Sequence, residues 1–266
     1  MNDNASSLFA AGQLDEAIAA AASAVKSSPT DSAARGLLAE LLCIAGSLDR
    51  ADIHLEFLFR QADQSAPTIS LVRQLVRAAQ ARSQFFAEGR LPEFLTEPPA
   101  WLKRHLEAWV LIRDGNFKEA LACLEAAQAA QPALEGTCNG TPFSGFRDLD
   151  DLTSGLFEVM TSTGKYFWIP MSGVESIEFH PPQRPRDLIW RRVRMCTTDG
   201  TDGEVFLPAL YPLTGEHGAD IRLGRVTEWV EVNGAPVRGL GQRVFLAGEM
   251  TYPVMELVSI AFNTAH

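Results

Sequence analysis

The best-placed nucleophile in this chain is Cys138, because Gly136-Thr-Cys138-Asn-Gly140 has the Gly-x-Cys-x-Gly spacing of a nucleophile elbow. Such an elbow works when a strand delivers the nucleophile to a sharp turn and a helix leaves it, which exposes the reacting atom. Here an alanine-rich helical stretch precedes the cysteine and a Thr-Pro turn follows it, so a Cys138-dependent hydrolase is the lesser alternative. The histidines at 54, 105, 180, 217 and 266 never fall at His-x-His or His-x-x-x-His spacing. A metal would therefore need ligands converging over long range. His54 and His105 lie in helical stretches and read as polar-face or packed residues. Cysteines 43, 123, 138 and 196 form no Cys-x-x-Cys pair, which speaks against a zinc knuckle and against a disulfide framework. Asp15-Glu16 and Asp150-Asp151 are adjacent, and neighbours on a helix point in different directions, so neither pair makes an acid/base dyad. Gly239-Leu-Gly241-Gln-Arg-Val lacks the third glycine of a dinucleotide fingerprint and reads as a flexible turn, and no P-loop or kinase signature is present. No catalytic residue, metal ligand or cofactor is expected.

Charge points away from nucleic acid. The net charge is -10, with -5 on residues 1–136 and -5 on 137–266. One basic cluster, Arg184, Arg186, Arg191, Arg192 and Arg194, is broken by Pro185, Asp187 and Trp190. On a strand Arg192 and Arg194 would share a face and Arg191 would point the other way, giving a solvated face with local ion pairs. Hydrophobic residues make up 46% and the mean hydropathy is -0.01, ordinary for a folded chain. No apolar run approaches the roughly 18 residues of a membrane span. The start has neither a secretory nor a basic transit pattern, so a cytoplasmic location is expected.

The elements that would carry any site fall into two kinds. Gly12-x-Leu14-x-x-Ala17, Gly46-x-Leu48-x-x-Ala51 and Gly115-x-Phe117-x-x-Ala120 lie 34 and 69 residues apart. A period near 34 is that of tetratricopeptide helix pairs, which stack to give concave protein-binding surfaces. Ile18, Ala21, Ala24 and Pro29 recur at the same offsets as Leu121, Leu124, Ala127 and Pro132. Repeat two is weaker, because Asp52 and Asp63 stand where the apolar residue and the proline would be. Ile69, Val72, Leu75, Val76 and Ala79 give a further helix without the glycine turn. About three degenerate repeats with one inserted helix are expected over residues 1–136.

Near residue 136 glycine, asparagine and proline crowd together, and residues 137–266 read as a β-rich domain. Leu149, Leu152, Leu156, Phe157 and Met160 recur at helical spacing, so this domain is expected to open with a short helix whose first turn holds Asp148, Asp150 and Asp151. Six or seven strands follow, beginning with Tyr166-Phe167-Trp168-Ile169, Val174–Phe179 and Ile189–Thr197. Others are expected at Glu204–Leu207, Gly224–Val232, Gln242–Leu246 and Pro253–Phe262. Asp-Gly at 199–200 and 202–203 and Asn-Gly at 233–234 suit hairpin turns. The expectation is α+β: tetratricopeptide-like helices, then a small antiparallel β domain of the SH3-like barrel kind.

Several groups of residues in fixed order resemble one family, ImpE/TagJ, accessory proteins of bacterial type VI secretion loci. They are Leu14-Asp-Glu-Ala17, Arg35-x-Leu-Leu-Ala-Glu-Leu-Leu-Cys-Ile-Ala-Gly46, Phe146-Arg-Asp-Leu-Asp-Asp151, Lys165-Tyr-Phe-Trp-Ile-Pro170, Arg186-Asp-Leu-x-Trp190 and Phe206-Leu-Pro-Ala-Leu-Tyr211. The resemblance implies a non-enzymatic adaptor without cofactor, acting in protein secretion from an avirulence locus. It implies a protein partner, the small subunit of the contractile sheath (TssB/VipA-like), bound through an amphipathic helix, with effects on sheath assembly or its ClpV-dependent recycling. Neither nucleic acid nor membrane enters. The negative net charge suits a partner segment with basic flanks. Another secretion or chaperone partner is the alternative. Candidate partner-binding residues are Phe167, Trp168, Arg186, Asp187 and Trp190. The aromatics are either exposed anchors or β-domain core, with core the preferred reading for Trp168 and Trp190; Arg186 and Asp187 are either a structural ion pair or a partner contact.

Overall fold

A computed structural model describes residues 2–62, 64–212 and 217–263; Asp63 and His266 lie outside the described residues. Seven long helices come first: α1 (Asn2–Ala10), α2 (Leu14–Ser27), α3 (Ser32–Ile44), α4 (Leu48–Gln61), α5 (Ala66–Glu88), α6 (Ala100–Arg113) and α7 (Phe117–Ala129). The three repeat glycines sit between α1 and α2, α3 and α4, and α6 and α7, at φ +85°, +73° and +79°. Each closes the same motif: Gly46 N–H donates to the Cys43 carbonyl and Ser47 N–H to that of Leu42, and the turns at Gly12 and Gly115 repeat this. This is a Schellman cap, whose left-handed position only glycine fills cheaply. Ala17, Ala51 and Ala120, five residues on, are fully buried where the paired helices touch. α5 is the inserted helix, and it gives Asp52 of repeat two a partner. Asp52 receives Arg73 of α5 at 2.7 and 3.0 Å.

After α7 the chain becomes antiparallel β. The β part opens with a hairpin, β1 (Glu135–Cys138) and β2 (Thr141–Ser144), and not with the expected helix. Asn139 and Gly140, at φ +49° and +80°, make its two-residue turn. β3 (Phe146–Asp148) follows, then a single 3-10 turn at Asp151–Thr153 and β4 (Leu156–Met160). Every residue of β4 is buried, so it lacks polar/apolar alternation, and Leu156 and Met160 extend the spacing of Leu149 and Leu152 into an apparent helical period.

The remaining strands are β5 (Tyr166–Pro170), β6 (Val174–Phe179), β7 (Trp190–Thr197), β8 (Asp202–Pro208), β9 (Thr227–Val230), β10 (Arg238–Gly241), β11 (Val244–Ala247), β12 (Met250–Pro253) and β13 (Ser259–Phe262). A four-residue helix, α8 (Ala219–Arg222), precedes β9. Eight strands form one sheet in the order β2-β1-β13-β6-β7-β8-β4-β5, with β2 and β5 at its ends; β12-β11-β3 and β10-β9 make two smaller sheets. The strands thus outnumber the six or seven expected. Asp202-Gly203 lies within β8 and turns nothing, whereas Gly200 and Gly234 turn as expected at φ +86° and +77°. Gly239 and Gly241, read from sequence as a flexible turn, are buried strand residues of β10.

One core cluster runs from the helices into the sheet, joining Leu42, Val76, Phe85 and Leu102 to Leu152, Leu156, Trp168 and Trp190; a second fills the space between the sheets. α3 meets the turn at 185–188, α5 meets β4 and β5, and α6 meets the turn at 151–153. This side of the repeat array therefore packs against the chain's own β part. No helix of the described residues is long and apolar enough to cross a membrane.

Candidate functional site

The seam between helices and strands is built on buried charge. Arg82 of α5 forks onto Glu158 of β4 at 2.8 and 2.9 Å and also donates to the Leu210 carbonyl at 3.0 Å. Glu158 further accepts from Arg243 and from the Tyr166 hydroxyl, which in turn receives Trp168 Nε1 at 2.7 Å. Arg243 also pairs with Asp148, whose carboxylate accepts from the Tyr211 hydroxyl at 2.8 Å and Thr153 at 3.0 Å. Asp150 takes Arg238 at 2.9 Å together with the Gly239 and Leu152 amides. Three carboxylates face three guanidiniums, so the cluster is neutral and its acceptors are filled. Burial pushes Glu158 upward, but Arg82 and Arg243 more than offset this and hold it at about 2. Burial pushes Asp148 upward from its ordinary value, with the Arg243 guanidinium opposing. Asp148, Asp150 and Asp151 therefore do not serve a helix dipole, as sequence suggested. They anchor turns and arginines.

Beside this cluster lies a cleft of about 280 Å³. Its walls come from the α3–α4 turn (Ile44, Leu48), from α5 (Ala79, Arg82, Ser83), from the β part (Ile189, Trp190, Leu210, Tyr211) and from Arg222 at the end of α8. Among the described residues, the charged side chains lining it are both arginines. Arg82 is matched by buried Glu158, whereas Arg222 spends its two terminal nitrogens on Asp15, 71% exposed, at 3.1–3.2 Å. Among the described residues, Arg222 Nε is buried without an acceptor.

Among the sequence candidates, Trp190 is 3% exposed and lines the cleft. Trp168 is fully buried, edge-on to Phe85 at 4.7 Å, and so is seam core with no surface to offer. Phe167 is half-buried with the Lys165 ammonium 5.9 Å from its ring. Arg186 and Asp187 do not make the local ion pair considered from sequence. Arg186 reaches Glu40 of α3 at 2.6 Å, and Asp187 accepts the Gln183 and Arg184 amides at 2.8 and 2.9 Å. Arg192 and Arg194 share the solvated face expected, paired with Glu204 and Asp202, and Arg191 is buried behind them.

Cys138 ends β1 inside the second core, and burial lifts its thiol to about 11, so little thiolate forms at neutral pH. His105 is a packed histidine between Leu152 and Gln131. Arg82, Glu158, Tyr211, Arg222 and Arg243 were not singled out in the sequence. Their partners lie tens of residues away, and no local spacing signals such pairs.

A family model described as ImpE protein matches residues 140–261, and a tetratricopeptide repeat model matches residues 8–75. The chain is 34% identical to the type VI secretion system accessory component TagJ of Pseudomonas aeruginosa over 248 residues, 92% of this chain and 86% of that one. The crystal structure of a Vibrio parahaemolyticus protein has TM-score 0.92 at 27% identity, with 98% of each chain covered.

Proposed function

The chain belongs to the ImpE family, and from that membership we propose that it is a non-enzymatic accessory protein of a type VI secretion system, working by binding another protein of the apparatus. The observation that carries this reading is that the likeness to TagJ spans helical repeats, seam and β part together, not one module alone. Fold by itself would not settle function. In the finer form of the proposal the partner is the small subunit of the contractile sheath, engaged through an amphipathic helix, and binding tunes sheath assembly or its recycling by the ClpV unfoldase. Helix-in-groove recognition needs apolar pockets on a rigid surface, and the seam cleft supplies one beside a rigid charge cluster. The buried, poorly ionised Cys138 supports an adaptor over a hydrolase.

Calorimetric titration of the protein with the sheath small subunit, intact and without its N-terminal helix, tests the proposal. Binding that requires the helix is the expected result. Failure of the intact subunit to bind, with a different secretion or chaperone protein binding instead, would replace it with the alternative adaptor reading.

A further inference from the structure

Sheet edges are where another chain can add a strand, and folded proteins guard them. β2 carries Pro142 and β12 carries Pro253, and proline has no N–H to offer. The edge of β5 is covered by the segment before α6: Glu93 N–H donates to the Tyr166 carbonyl at 2.9 Å and Trp168 N–H to the Glu93 carbonyl at 3.0 Å. β3 donates its Asp148 amide to the Ser154 carbonyl at 3.1 Å. On β10 the Gly239 amide goes to Asp150, and the Gly241 carbonyl accepts the Tyr211 amide.

β9 carries no such guard. Gly239 and Gly241 turn their peptide groups away from it, so Arg238, Leu240 and Gln242 face it, and Gln242 N–H donates to the Val226 carbonyl at 3.3 Å. By the alternation of an antiparallel pair, Val226, Glu228 and Val230 point their main-chain groups at β10, and Thr227 and Trp229 point theirs outward. Among the described residues, those outward N–H and C=O groups make no hydrogen bond. The side chains of Val226, Glu228 and Val230 lie on one face and are all exposed. Glu228 has no ion-pair partner among the described residues.

We propose that β9 is a docking edge for an extended segment of a partner protein with the pattern apolar-x-Lys/Arg-x-apolar, added antiparallel. Its apolar residues lie opposite Val226 and Val230 and its cation opposite Glu228, while the two residues between exchange main-chain hydrogen bonds with Thr227 and Trp229. A second copy fits worse, because pairing two β9 strands about their centre sets Glu228 against its equivalent and each copy carries a net charge of -10. This edge takes a strand and not the helix of the sheath reading, so each proposal stands or falls without the other.

The test titrates the full chain with the capped peptide Val-Thr-Lys-Thr-Val, following the amide signals and hydrogen exchange of Thr227 and Trp229. The same peptide N-methylated at both threonines keeps its side chains but loses the donors that reach β9. Tenfold or greater slowing of exchange at both amides near saturation, abolished by N-methylation, is the expected result. Glu228→Lys, at an exposed position, should weaken binding about threefold or more, and a peptide with Glu in place of Lys should restore it. Unchanged signals at millimolar peptide, or equal binding of the N-methylated peptide, would overturn the inference. So would a Glu228→Lys variant that binds both peptides as wild type does. Protection of the two amides without peptide that fades on dilution would assign the edge to a second copy and overturn it as well.

Discussion

His105 shows what one buried residue imposes. Its Nδ1–H donates to the Leu152 carbonyl at 2.8 Å and its Nε2 faces the Gln131 amide at 3.2 Å, which suits the neutral ring only. Burial pushes its pKa down to about 4, the Leu152 bond only partly opposing. In the unfolded chain it titrates near 6.5. Between those values the unfolded state binds the extra proton. Stability is therefore complete above about pH 6.5 and falls as the pH drops towards 4, by roughly 3 kcal/mol in all. Urea denaturation at pH 7 and at pH 4.5 should show His105→Gln losing less stability between the two than wild type. Equal losses would show that the histidine does not carry that slope.

At the scale of elements, two glycines with similar φ have different duties. Gly46 ends α3 at φ +73° with open space around its missing side chain. Alanine there meets only the left-handed penalty, about 1–2 kcal/mol. Gly241 in β10 has φ +81°, and a Cβ would fall 2.1 Å from the Val226 carbonyl oxygen, so alanine there must also displace backbone. Gly241→Ala should accordingly cost at least twice as much as Gly46→Ala in chemical denaturation. Similar costs would mean the β10 backbone yields freely.

Across the whole molecule the helical repeats and the β part share a core and the Arg82–Glu158–Arg243 cluster. Neither can open without exposing Trp168 and stranding charge. We expect one cooperative transition, with helix loss followed by far-ultraviolet circular dichroism coinciding with tryptophan fluorescence. Glu158→Gln should lower the midpoint, through a stability loss of about 3–5 kcal/mol for a broken buried pair, without splitting the transition. Two separated transitions in the wild-type protein would contradict the shared core.

The sequence by itself determined the repeats, because Gly12, Gly46 and Gly115 answer a backbone demand confined to a few neighbouring residues, and Ala17, Ala51 and Ala120 answer one of close helix approach. It also showed β7, whose arginines alternate between faces. The Asn139-Gly140 turn was equally legible, but it was overshadowed by the resemblance of its surroundings to a nucleophile elbow. Trp190 was recognisable as a notable residue, though not as the wall of a cleft. Only the tertiary structure decided that Leu156–Met160 is a strand, since burial on both faces erases the alternation that would reveal it. It alone paired Arg82 with Glu158 and set Arg222 at the cleft rim. Such pairings join residues far apart along the chain, where charge and shape are complementary in space and leave no periodic trace in the order of amino acids.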